Sequence, residues 1–106
     1  METFTHYTDP GHGWVEVPRS LLNELGIADK ISGFSYQRGE DVFLEEDRDL
    51  AIFTDAMKQG GRPFELVHVN EPQRDSWVRL LWSYEPEPEL MVSDEARSYG
   101  PAGAPL

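Results

Sequence analysis

Between Thr3 and Thr8 threonines and aromatic or imidazole side chains succeed one another, the pattern breaks at Asp9-Pro10-Gly11, and strand-like residues resume from Trp14 to Val17. Such residues favour extended backbone and Asp-Pro-Gly is turn chemistry, so the pattern predicts an N-terminal β-hairpin. Pro18 suits the first position of a helix, Leu21, Leu22 and Leu25 form one apolar stripe, and Gly26-Ile27 is a stop signal in which Ile27 packs back on Leu22. A short helix is therefore predicted from about Arg19 to Leu25. Ile31 to Gln37 and Asp41 to Glu45 flank Arg38-Gly39-Glu40, with Phe34 and Tyr36 on one face and Val42 and Leu44 alternating with charge, which predicts a second hairpin. Leu50, Phe53 and Met57 share one face of a helix running from near Asp47 to Gly60-Gly61, and Arg62-Pro63 leads into a strand over Phe64 to Val69. Ser76 to Tyr84 satisfies two periods. Val78, Leu80, Trp82 and Tyr84 fit strand alternation, whereas Trp77, Leu80, Leu81 and Tyr84 fit a helical face; the strand is the reading adopted.

These elements assemble into one α+β domain over residues 1–84, a small antiparallel sheet of two hairpins plus a C-terminal strand, packed with two short helices. From Glu85 onward EPEPEL and YGPAGAPL offer little apolar surface beyond Leu90-Met91-Val92 to offset ordering entropy, so residues 85–106 are expected to form an acidic, Pro/Gly-rich disordered tail. A chain of 106 residues with 39% hydrophobic positions has room for one modest core. The absence of cysteine excludes disulfides, thiolate metal sites and cysteine nucleophiles, and makes a reducing cytoplasm the expected setting. Neither a basic start followed by an apolar run nor a stretch of about 20 apolar residues occurs, so neither a signal peptide nor a membrane span is expected.

Charge sharpens the picture. Twenty acidic and nine basic residues give a net charge of −11, and residues 1–84 are acidic in their own right. Such a field repels phosphate backbones and anionic lipid and speeds encounter with basic partners. The densest charge is Glu40, Asp41, Glu45, Glu46, Asp47 and Asp49, interrupted by Arg48. It is no EF-hand, because a loop beginning at Asp47 would place Ile52 where glycine is required and Lys58 where the bidentate glutamate belongs. Structurally, Glu46, Asp47 and Asp49 suit the positive end of the second helix. Functionally, carboxylates along a hairpin strand and a helix start would imitate a row of phosphates that arginines and lysines of a partner recognise.

His6, Asp9 and His12 form H-x2-D-x2-H, two imidazoles and a carboxylate as in several open metal sites, with His68 as a further ligand. Pro10-Gly11 prevents a helix from aligning the three, and Asp9 bonding its own turn backbone is the competing reading, so no tightly bound metal and no cofactor are expected. His68 alternates with Phe64 and Leu66, as a core histidine or one on a pocket rim. Ser20, Ser32, Ser35 and Ser76 lie in no G-x-S-x-G elbow, and neither a phosphate-cradling glycine loop nor H-E-x-x-H occurs, so nucleophilic, phosphotransfer and zincin chemistry have no sequence support and the leading reading is non-enzymatic.

Two resemblances add to this reading. WVEVPRSLLNELGI followed by a hairpin ending in VFLEE resembles the strand, Pro-initiated helix and hairpin of AbrB-type swapped-hairpin transcription factors, which implies a dimeric regulatory or antitoxin-like module. HYTDPGHGWVEVP together with LGIADKISGFSYQRGEDVFLEED is similar to a family of small proteins carried by bacteria, plasmids and phages, which implies a mobile-element setting. The expectation is a non-enzymatic acidic binding protein that uses Glu40, Asp41, Glu45, Glu46, Asp47 and Asp49, with Trp77 and Trp82 as aromatic anchors. Its partner would be a protein with a basic, nucleic-acid-binding surface, as for an anti-restriction or anti-CRISPR inhibitor, with no direct contact to nucleic acid or membrane. The alternatives are the AbrB-like homodimer and a small metal-dependent enzyme built on His6, Asp9 and His12.

Overall fold

A computed structural model describes residues 1–86. The chain folds as an α+β domain around a six-stranded sheet ordered β5-β1-β2-β4-β3-β6, with β1 Glu2–Thr8, β2 Gly13–Pro18, β3 Tyr36–Arg38, β4 Asp41–Glu45, β5 Phe64–Asn70 and β6 Trp82–Ser83. Neighbours are antiparallel except β1 and β5, which run parallel from Glu2↔Phe64 to Thr8↔Asn70. The parallel pairing follows from connectivity: α2, Asp49–Gln59, carries the chain back across one sheet face before β5 begins. No helix among the described residues is long and apolar enough to cross a membrane.

Each face of the sheet has its own apolar cluster. Phe4, Val15, Val17, Val42 and Leu44 point to the face covered by the helices and pack with Leu21, Leu22, Ile27, Phe53 and Met57. Trp14 and Phe43 point to the other face, where Val78, Tyr7, Tyr36 and Leu81 complete a smaller cluster. Alternation along the strands therefore fills two cores.

The predicted punctuation of both helices holds. α1, Arg19–Glu24, begins after Pro18 and ends with Gly26 at φ 74°, its N–H donating to the Asn23 carbonyl and that of Ile27 to the Leu22 carbonyl at 3.0 Å. α2 repeats the arrangement, with Gly61 at φ 66°, its N–H on Lys58 and that of Arg62 on Met57. In both, a glycine in the left-handed region satisfies carbonyls that the helix end leaves open.

Two expectations need correction. The strand foreseen over Ile31 to Gln37 shrinks to Tyr36–Arg38, because Ser32 and Ser35 direct their hydroxyls to Asp49 and residues 31–35 form a loop. Ser76 to Tyr84 is not one strand. Ser76 caps a 3₁₀ turn at Trp77–Leu80 by accepting from the Val78 N–H, and only Trp82–Ser83 pair with β3. The sheet itself is antiparallel as expected, save for the one parallel pair β1–β5. Of the expected tail, Glu85 is held by Gln37, which accepts its N–H at 2.8 Å, and by Arg19, which donates to its carbonyl at 2.9 Å. Residues 87–106 lie outside the described residues.

Candidate functional site

The acidic run does not present a row of carboxylates. Glu40 and Asp47 are exposed and Asp41 and Glu46 half-buried, but Glu45 and Asp49 are buried. The Asp49 carboxylate accepts from the Ser32 N–H at 3.1 Å and from the Ser32 and Ser35 hydroxyls at 2.7 and 2.5 Å. Glu45 accepts from the N–H groups of Asp47 and Arg48, both at 2.9 Å, and so shapes the turn into α2. The expectation that both reach solvent from a polar surface is overturned. A carboxylate next to free backbone N–H groups and hydroxyls is better satisfied by folding over them than by water alone. Trp77 and Trp82 do not form one patch either. Trp77 packs on Tyr7 and Phe43 beneath the Arg38 guanidinium, whereas the register sets Trp82 beside Gln37 on the helix-bearing side.

His6, Asp9 and His12 are drawn apart by separate partners. Asp9 accepts from the N–H groups of Gly11 and His12 at 3.0 Å, as its turn chemistry predicts. It also accepts from the Ser76 N–H at 2.8 Å and from Arg79 at 2.6 and 2.9 Å. The Arg79 guanidinium, aided by the Ser76 and Gly11 amides and opposed by burial, holds the Asp9 carboxyl well below the usual carboxylate range. His6 turns instead toward His68 and Glu46.

What these ties build is a cleft of about 430 Å³ lined by His12, Trp14, Phe34, Tyr36, Glu45, Asp47, Arg48 and Arg79. β2 supplies Trp14 and β4 supplies Glu45, its direct cross-strand partner. The β1–β2 turn supplies His12, the Asp49-anchored loop Phe34, and the 3₁₀ turn Arg79, which lies over the Trp14 ring at 5.0 Å. His12 sits between two carboxylates, with Nε2 2.5 Å from Glu45 Oε2 and Nδ1 3.8 Å from Asp47 Oδ2. These three residues offer ligand atoms within 4.8 Å of one another, a set of the size a cation needs, but Glu45 already serves two amides and the imidazole. The Trp14 indole N–H is the single buried side-chain donor or acceptor among the described residues without a partner, on a ring 1% exposed. Phe34 is 69% exposed at the cleft.

Sequence reasoning missed Trp14, Phe34, Arg48 and Arg79 as a group, since they come from four segments. One local signal was available. Phe34 follows Ser32-Gly33, a dipeptide that marks a turn or loop and so argues against placing Phe34 in a strand interior. No protein-family model matches the chain, nor does any curated protein or solved structure.

Proposed function

We propose that this chain is a non-enzymatic acidic binding protein that takes a basic segment of a partner protein into the cleft between Phe34 and His12. The observation that carries the reading is Phe34, 69% exposed beside a cleft whose floor is aromatic and to which Asp47 adds a carboxylate 74% exposed. Burying such a ring is worth about 1.5–3 kcal/mol, so Phe34 offers a partner an apolar contact that the isolated chain leaves unused. A guanidinium stacks on aromatic faces and pairs with a carboxylate, which is what Trp14, Tyr36, Phe34 and Asp47 offer together. Arg79 adds no free positive charge, being neutralised by Asp9. Arg48 does add one, and it favours a segment carrying an acceptor beside its base over a uniform polycation. Glu40, Asp41 and Glu46 remain at the surface to steer the encounter within the field of the −11 chain.

The partner class in this reading is a host protein that holds nucleic acid on a basic surface, occupied by this chain as an inhibitor from a mobile element would occupy it. Supporting it are the acidic balance and the resemblance to phage- and plasmid-borne proteins. Affinity capture from host lysate with wild type, Phe34→Ser and Asp47→Asn, at low and high salt, is the test. A basic nucleic-acid-binding protein retained by wild type, released by salt and lost in both variants is expected, and added nucleic acid should compete for it. Retention indifferent to both substitutions and to salt would overturn the proposal.

A further inference from the structure

We propose that His6 and His68 form a binding site for a divalent transition-metal ion of the Zn²⁺, Ni²⁺ or Cu²⁺ class, independent of the cleft. The two residues are 62 positions apart in sequence, yet the parallel pairing of β1 and β5 sets them directly opposite each other on one face. They continue the rows of Phe4 and Leu66 toward the end of the sheet, past the core that α2 covers. Their Nδ1 atoms lie 3.0 Å apart, with the rings tilted by 63°, so they meet nitrogen to nitrogen and not face to face. A metal bound to two imidazoles at about 2.0–2.1 Å, with a ligand angle between square and tetrahedral, needs its nitrogens roughly 2.9–3.4 Å apart. The pair already has that spacing.

The tautomer is favourable as well. Glu46 Oε1 lies 3.4 Å from His6 Nε2, on the far side of the ring from His68. A carboxylate there favours the tautomer with its proton on Nε2 and the Nδ1 lone pair free, the relation by which carboxylates orient metal-binding histidines. Without metal, His68 donates its Nδ1–H to His6 Nδ1; when an ion binds, that proton passes to His68 Nε2, and both Nδ1 lone pairs serve the metal. Gly13 makes the arrangement possible, because a Cβ there would fall 2.3 Å from Glu46 Oε1 and 2.9 Å from His6 Nε2. Glu46 and Gly13 are therefore positioning residues, and His6 and His68 the ligands. His68 is exposed, which gives an ion a path from solvent and leaves coordination positions for water. The sequence pointed to His6 with Asp9 and His12, but Asp9 is bound to Arg79 and His12 to Glu45.

The test is calorimetric titration of the untagged full-length protein with Cu²⁺ and Ni²⁺, beside the variants His6→Ala, His68→Ala, His12→Ala and Gly13→Ala, each checked for folding by circular dichroism. One ion per chain is expected. Affinity should fall about tenfold or more in His68→Ala and His6→Ala, fall less in Gly13→Ala, and stay unchanged in His12→Ala. Because His68 is exposed, its variant reads the site even where His6→Ala disturbs the sheet. Electron paramagnetic resonance of the Cu²⁺ form should show coupling to two imidazole nitrogens. Absence of stoichiometric binding, or loss in His12→Ala with His68→Ala unaffected, which would move the ion to His12, Glu45 and Asp47, overturns the proposal.

Discussion

Replacing Asp9 with asparagine should destabilise the domain far more than a turn residue ordinarily does. Its carboxylate is fully shielded from solvent and accepts five hydrogen bonds, two from its own turn, one from the Ser76 N–H and two from Arg79. It thereby staples the β1–β2 turn to the 3₁₀ segment that roofs Trp14 and Phe43. Asparagine nearly keeps the volume but loses the charge, and its NH₂ must face donors. Removing one partner of a buried pair costs about 3–5 kcal/mol. Arg79 is 34% exposed and can recover some hydration, so a loss of about 2–4 kcal/mol is expected, a large part of a stability of roughly 5–15 kcal/mol. Urea unfolding followed by tryptophan fluorescence gives the magnitude, and a double-mutant cycle with Arg79→Ala gives the coupling. The sign of the pH dependence is fixed by the lowered pKa. The stabilisation is fully present above the unfolded value of about 3.9 and is lost as pH falls through the lower folded value. Wild type should therefore lose stability more steeply than Asp9→Asn between about pH 4 and 2. A variant within about 0.5 kcal/mol of wild type, or a coupling near zero, would refute the reasoning.

Asp49→Ala should cost about 2–4 kcal/mol in urea unfolding and speed amide exchange at residues 32–35, since it strands the Ser32 N–H and two hydroxyls. Reversing Glu45, Glu46 and Asp49 together to lysine should accordingly unfold the domain, whereas reversing only Glu46 and Asp47 should leave its circular dichroism unchanged; a folded triple variant would contradict the burial of Glu45 and Asp49. Gly61→Ala should lower stability by about 1–2 kcal/mol through backbone strain alone, because an added Cβ meets nothing within 4 Å and the φ of 66° carries the whole effect. Phe34→Ser should leave the unfolding midpoint unchanged while removing partner capture, which separates a contact residue from a packing one.

Local chemistry was legible wherever a residue's fate depends on its immediate neighbours. Asp9-Pro10-Gly11 gave a turn, Pro18 started α1, Gly26 and Gly60-Gly61 closed both helices, and alternation from Val42 to Leu44 marked β4, because turn geometry, capping and side-chain direction are set within a few residues. The α+β class followed from the same signals. The long-range pairings were not legible. Nothing between Thr3 and Asn70 announces that β5 lies parallel to β1, and it is this pairing that brings His68 to His6. The carboxylates show the division most clearly. In sequence Glu45, Glu46, Asp47 and Asp49 are equivalent members of one charged run, and each alone suits a solvated helix start. Tertiary structure buries Glu45 and Asp49 and leaves Asp47 at the cleft, because a buried charge needs several partners at once, and beyond the local amides of Asp47 and Arg48 those partners come from Ser32, Ser35 and His12, which only the closed sheet gathers. The sequence by itself determined where the chain turns and which faces are apolar; which polar side chains became structure and which remained for recognition was decided by the packing of segments distant along the chain.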